Sequence, residues 1–555
     1  MAEPDETADK APSGQRDELP IRILLIGGLL FGLYSIFISP TGIGDALQHD
    51  GQDFVMRTLL APRYGVGPDR TDKVSVVLLR DSSLDYMSKA RAETVEALSA
   101  QAKAQASDKP DNKPEKVTWP LRLDMHAMIL EEIAFRKPKA IFVDILFLDE
   151  RPNDEATSMK AFLRTMYRRS HPDCGNPPRE FCVPIYFAKA PGTKIRADLL
   201  DPRCDDPEGF PPERRPEVCD YLMRRLLPAP KQPERGILRY YPAREHGELT
   251  TAFSLLKLHG LSKKWAPNDI DQLSNSPANL EILWGSTPHP RNKKWMKVVA
   301  DDGSATACPT MEYGIGERLW KEIFDQKKAL RQSCPYVATV PVEDLVYRSE
   351  VKNENDEERR RKVDELIEGK IVFYGVSLVG AGDIINLPDQ SALAGVYMHA
   401  MALDNLLTLG PDYLRRTSKA WQLAIHVAAI TFLAVTFAGY SWLHRFTYTP
   451  PRGWMLCLGL DVLYSAGTLI TLLAYGLLLT HVCNVAPHDW VGIAGYWVGF
   501  SAPSVADMAR ALWKLKKPLV WLRNKTMLAW DRLLLWGPQV AARFGRISRR
   551  LFAAR

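Results

Sequence analysis

Six side chains capable of polar-ligand chemistry stand at or near the ends of apolar runs in the middle of the chain. Asp81 follows VSVVLLR, and Arg122 precedes an amphipathic stretch. Asp144 lies within AIFVDILF, and Ser377 closes IVFYGVS. Asp383 sits in the Gly-rich segment after it, and His399 in VYMHA. Three carboxylates, a guanidinium, a hydroxyl and an imidazole can together bind a polar ligand or a divalent cation. The same groups can also simply hold the fold, with Asp81 capping a turn and Asp144 paired to Arg122, because buried charges are normally paired. No Ser-His-Asp spacing, zincin motif or P-loop stands out. Neither an enzyme nor a cofactor or resident metal is expected.

The elements that must position these residues are legible as a series. Residues 74–79 form a mostly apolar, β-branched run, as in a strand buried on both faces. Residues 88–117 are rich in Ala, Lys, Glu and Asp and read as a helix fraying into an exposed loop. An amphipathic helix is expected over 124–135, with Met125, Met128, Ile129 and Ile133 on its apolar face. A second buried strand is expected over 140–147, with Asp144 inside it. Strand, helix, strand at this spacing is a βαβ unit, which predicts parallel strands. Short strands are expected at 183–188, 236–241 and 280–284, a helix at 252–259, and a last buried strand ending at 374. A final helix carries His399 and ends near Leu407. Where open parallel sheets bind ligands, they do so beyond the carboxyl ends of their strands. That is the edge to which Asp81, Ser377 and Asp383 belong.

Four long apolar runs flank this stretch, at 23–39, 421–443, 454–480 and 490–508. The first is at the short end for spanning about 30 Å of hydrocarbon, and Arg22 can extend it by snorkelling. No small-x-small cleavage site follows it, so it reads as an uncleaved anchor. The loop 444–453 contains Arg445 and Arg452, while 481–489 has no Lys or Arg. By the positive-inside rule residues 1–22, the 444–453 loop and the 509–555 tail are cytoplasmic, and residues 40–417 lie outside. Arg415, Arg416 and Lys419 on the outer flank argue mildly the other way. Asp461 falls well inside the third run and must face the bundle with a partner, for which Tyr440 and His444 are in reach. His426, near the outer end of the second run, is a lesser case of the same kind.

Charge and cysteines divide along the same line. The net charge is +6, but residues 511–555 hold 11 Lys and Arg against one acid, so the other 510 residues sum to −4. Nucleic acid is therefore not an expected partner, whereas the Trp- and Lys-rich tail fits an anionic lipid surface. Six of the eight cysteines, Cys174, Cys182, Cys204, Cys219, Cys308 and Cys334, lie in the polar stretch, and none has the CxxC spacing of a zinc site. Disulfides in an oxidising compartment are the expectation, with nearest-neighbour pairing the simplest: Cys174–Cys182, Cys204–Cys219 and Cys308–Cys334. Four of the six sit in 150–235, a Pro- and Arg-dense segment that reads as an irregular, stapled insertion.

The ordered set VVLLRDSSL, WPLRLDMHA, KAIFVDILF, GILRYYP, EGKIVFYGVSLVGAGD and LAGVYMHAMALDNLL closely resembles the CHASE domain of the second class. That family is an extracytoplasmic sensor of bacterial cyclases, histidine kinases and Ser/Thr kinases. The resemblance covers about residues 45–410, and the three helices that follow are similar to the family's arrangement. The family pattern after the first strand is two acids and then a Ser; here Arg80 replaces the first acid, while Asp81 and Ser83 remain. The resemblance implies an α/β domain with a mainly parallel sheet, placed in the periplasm by four helices in the bacterial inner membrane. It also implies a cytoplasmic output, which the short cytoplasmic segments cannot fold by themselves. The expected function is a sensor subunit signalling to a separate cytoplasmic or membrane partner, as a homo- or hetero-oligomer. The alternative is an accessory scaffold that uses the domain for docking.

Overall fold

The computed structural model describes residues 64, 72–90, 117–147, 159–163, 183–190, 219, 222, 224–230, 238–259, 264–266, 268–269, 278–285, 288–292, 297–299, 305–307, 335–346, 354–378, 383–387, 392–415, 419–447, 453–482, 497 and 501. The chain divides into two compact units, residues 52–417 with 480–487, and residues 1–51, 418–479 and 488–555.

The first unit is built on a six-stranded sheet. Its strands in chain order are β1 (Val74–Arg80), β2 (Ala140–Val143), β3 (Ile185–Lys189), β4 (Leu226–Pro228), β5 (Ala338–Pro341) and β6 (Ile371–Ser377). Their spatial order is β5-β1-β6-β2-β3-β4, and every pairing is parallel. β1 and β2 are parallel as the βαβ spacing requires, but β6 lies between them, with Val74 opposite Ile371 and Tyr374 opposite Val143. Successive side chains of a strand point to opposite faces, and here both faces are covered. Val76, Leu78, Phe142 and Phe373 enter one apolar cluster; Val77, Leu79, Val143, Val372 and Tyr374 enter the other. That double burial explains why these strands read as continuous apolar runs.

One face carries α1 (Leu123–Phe135), α3 (Val342–Val346) and α4 (Glu354–Ile367); the other carries α2 (Thr251–His259) and α5 (Val396–Leu409). α1 starts one residue earlier than expected and buries Leu123, His126, Ile129, Leu130 and Ile133. Met128 is exposed rather than inward, because the buried stripe follows 126, 129, 130 and 133 and leaves 128 on the outer side. The 236–241 and 280–284 strands shrink to a two-residue antiparallel pair, Tyr240–Tyr241 with Leu280–Glu281, apart from the main sheet. Strand β5 has no counterpart among the sequence expectations. A short hairpin, β7 (Ile384–Asn386) with β8 (Ala392–Ala394), leads from β6 into α5.

The second unit shows α6 (Lys419–Thr447) and α7 (Gly453–Val482), where the second and third apolar runs fall. Among the described residues one helical stretch, 459–476, is long and apolar enough to cross a membrane; the apolar part of α6, 427–443, is shorter. Span 23–39 and the tail lie outside the described residues. So do the residues of span 490–508 except Trp497 and Ser501, and the side chain of His426. Of the six cysteines in the polar stretch only Cys219 is described; it is buried and disulfide-bonded. Its pairing, and Cys174, Cys182, Cys204, Cys308 and Cys334, lie outside the described residues.

Candidate functional site

The carboxyl edge of the sheet gathers most of the expected site residues. β2 ends at Val143, four residues short of the expected strand, so Asp144 stands just past the edge rather than inside the ladder. Its backbone N–H still donates to the Tyr374 carbonyl at 2.8 Å, which fixes its position beside β6. Its carboxylate lies 3.5 Å from His399 Nε2, with both side chains largely buried. His399 sits one turn into α5 and projects toward the sheet between Phe142 and Tyr241.

Two hydrogen bonds fix the Tyr241 hydroxyl beside His399. The Tyr241 hydroxyl lies 2.8 Å from His399 Nδ1 and accepts the backbone N–H of Ala252 at 3.1 Å. The other ring nitrogen, Nε2, faces the Asp144 carboxylate. Burial pushes the Tyr241 phenol well above its ordinary range, so it stays a donor at every physiological pH. The chain Ala252–Tyr241–His399–Asp144 thus ties the start of α2, α5 and the edge of β2 together.

Asp383 packs against the start of the same helix. Its backbone carbonyl accepts the Gly395 N–H at 3.0 Å, and a Cβ built on Gly395 would fall 2.1 Å from its carboxylate. Ser377 and Arg80 are register partners at the ends of β6 and β1. Beside them the Arg80 guanidinium meets Glu343 of α3 at 2.5 Å. Ser82 donates to that carboxylate at 2.9 Å, and Ser83 donates to its other oxygen. Burial raises the Glu343 carboxyl, but the Ser83 hydroxyl and the Arg80 charge more than offset it and leave it below the usual range. Asp81 begins the helical segment 81–90 and is exposed. Arg122 precedes α1 on the opposite face from His399 and pairs with Asp124 at 3.1 Å.

The structure therefore joins Asp144 and His399, sets Asp383 against Gly395 at the start of α5, and aligns Ser377 with Arg80. Arg122 engages its own helix. Tyr241 and Glu343 are the members that sequence reasoning missed. Tyr241 lay within a recognised strand segment, but nothing local links it to a histidine 158 residues away. Glu343 follows a four-residue strand that itself went unseen.

A CHASE2 domain matches residues 26–438, about three quarters of the chain. The chain belongs to the CHASE2 domain family. No curated protein and no solved structure matches it. CHASE2 domains are extracytoplasmic sensor domains, and the match is consistent with a sensory role for the α/β unit.

The Asp144–His399 contact leads to a direct prediction. Asp144→Ala removes the carboxylate that faces the buried His399 ring at 3.5 Å and should lower stability by about 1–2 kcal/mol. Asp144→Asn keeps an acceptor oxygen and should recover most of the loss. Thermal denaturation of both variants checks this; equal losses would show that the carboxylate acts through its charge instead.

Proposed function

We propose that the protein is a membrane-anchored sensor subunit. Its extracytoplasmic CHASE2 domain responds to a polar stimulus at the carboxyl edge of the sheet and relays the response through its helices to a separate partner. The observation that carries this reading is the extent of the family match, which runs through the α/β unit and on to residue 438, inside α6. The sensory unit and the first helix after it are one family segment. Arg415 bridges to Leu280 in the domain and α6 begins at Lys419, so few residues separate the two. A short connection transmits displacement better than a long flexible one.

Membrane anchoring is supported by how α6 and α7 distribute their polarity. Asp461 is 2% exposed and accepts a hydrogen bond from Tyr440, while Ser465 and Thr468 are also buried. Trp497 donates to the Ser465 carbonyl at 3.2 Å. Val435, Leu463 and Ile470, by contrast, are about two-thirds exposed. Thr431, Thr468 and Thr471 hydroxyls donate to carbonyls four residues back on their own helices. Polar groups facing inward and aliphatic groups facing outward suit a hydrocarbon solvent and penalise an aqueous one. The basic tail, held against anionic headgroups, completes the arrangement.

Two reporters test the reading. One inserted after Ser107 should behave as extracytoplasmic, and one fused after Arg555 as cytoplasmic. Both on the same side of the membrane would end the proposal. A partner recovered with the full chain from detergent should change activity when a stimulus is present; a stable complex indifferent to any stimulus would favour a scaffold.

A further inference from the structure

Three strands end side by side with their last polar groups on one face. Val76 and Leu78 of β1, Phe373 of β6 and Phe142 of β2 all pack on the side of the sheet covered by α5. Alternation carries the same rows on to Arg80, Ser377 and Asp144. Two contacts agree with it. Gly375, two residues before Ser377, lies under Val396, the first residue of α5, and Asp144 lies 3.5 Å from His399 of the same helix. The order β1-β6-β2 sets Ser377 in the middle, opposite Arg80 in register. The first turn of α5 thus stands behind a short row that is cationic at one end and anionic at the other.

The strands that carry the two charges are two spacings apart, roughly 10 Å, and each charge is left incompletely matched. Arg80 gives one nitrogen to Glu343 at 2.5 Å, while its Nε is buried and has no hydrogen-bond partner. Such an orphaned donor calls for an explanation. Asp144 is largely buried, yet among the described residues it meets no Lys or Arg, only the His399 ring. The Ser377 hydroxyl makes no hydrogen bond among the described residues. We propose that this row binds a small zwitterion of the amino-acid type, with its carboxylate on the Arg80 guanidinium and the Ser377 hydroxyl and its ammonium on Asp144. The inference rests on the reading of the carboxyl edge as the stimulus site and names the ligand class for it. The guanidinium fork recognises a carboxylate, and a largely buried carboxylate favours a group that brings it positive charge. A molecule with a single charge satisfies one end and leaves the other as it was, so the row selects for both charges together.

The probes are zwitterions of growing span, glycine, β-alanine, γ-aminobutyrate and ε-aminocaproate, added to the full chain in nonionic detergent. Sodium acetate and methylammonium chloride at the same concentration serve as single-charge controls. At least one zwitterion should raise the melting temperature saturably, by roughly 2–4 °C at high occupancy, and neither control should. Arg80→Gln and Asp144→Asn should each weaken that binding by about tenfold or more, the loss of one charge-assisted hydrogen bond. Both should fold: Ser82 and Ser83 continue to donate to Glu343 in the first, and the second keeps the shape of the carboxylate. Ser377→Ala gives up no described contact and should also weaken binding, which keeps the test decisive if a charged position proves too disruptive. Stabilisation by acetate that needs Arg80 and not Asp144 would overturn the zwitterion while leaving the carboxyl edge as the stimulus site. Stabilisation retained in all three variants would move binding off this edge and overturn both. No shift from any of the zwitterions overturns the proposal and leaves the reporter test of the membrane-anchored sensor standing on its own.

Discussion

Lowering the pH from 7 to about 4 should cost the sensory domain about 3 kcal/mol through His259 alone. The imidazole is pushed down to about 4 by burial, Lys139 and Arg225, against an ordinary value of 6.5. The folded-state value lies below the unfolded one, so above about pH 6.5 both states hold His259 neutral and no penalty exists. As pH falls through the interval to about 4, the unfolded chain takes up a proton that the folded domain refuses, and stability is lost. Below about 4 both are protonated and the loss stops growing. His259→Gln removes the titration. The fall in unfolding midpoint between pH 7 and 4.5 should therefore be several degrees smaller in the variant than in the parent. Identical pH profiles would show that His259 is not held neutral. Asp72 adds a further loss at lower pH: although burial raises its carboxyl, His289 and Lys370 hold it at about 2. At the half-exposed Asp72 solvent screening keeps that contribution small.

The strands that build the site's floor were legible because β1, β2 and β6 are buried on both faces, and only apolar, largely β-branched residues satisfy both clusters at once. Their ends were not. Ile145 and Phe147 continue the apolar run past Val143, yet the chain has already left the ladder, and hydropathy does not record which backbone groups are paired. β5 stayed hidden for the opposite reason: four residues with Thr339 among them and Pro341 at the end carry too little pattern. Thr339 is tolerated in the core because its hydroxyl meets Tyr397 at 2.8 Å and its N–H is taken by Asn292 at 3.0 Å. The six candidate residues were chosen for type and for nearness to strand ends, which placed Asp144, Ser377, Asp383 and His399 on one edge. The partner of each was beyond reach, since Asp144 with His399 and Arg80 with Glu343 are contacts between residues more than two hundred apart in sequence. The expected convergence of Arg122 failed because Asp124, two residues away, captures its guanidinium.

Gly375→Ala should be among the most destabilising single-methyl changes in the domain. Gly375 lies in the middle of the seven-residue β6, where a glycine is normally a liability. Its place is explained by α5: a Cβ at position 375 would sit 2.5 Å from the Cβ of Val396 and 2.8 Å from both of its methyls. Val396 is the first residue of α5, and its Cβ is fixed to the backbone, so no rotamer relieves the contact. Either the start of α5 lifts off the sheet or β6 bends away from it. Overpacking of this kind costs typically 1–3 kcal/mol, and the absence of a rotameric escape places Gly375 near the upper end, about 3 kcal/mol. The same displacement moves Gly395 and Asp383 at the helix start and His399 one turn on. The Asp144–His399 contact should then loosen along with the loss of stability. A paired substitution, Val396→Ala in the Gly375→Ala background, removes both methyls of the clash and should recover a large part of the loss, although the Cβ–Cβ contact remains. Thermal denaturation of the three proteins gives the coupling between the two positions. Strict additivity, with Val396→Ala harming the variant as much as it harms the parent, would mean that the helix start does not press on β6 and that Gly375 is kept there for some other reason.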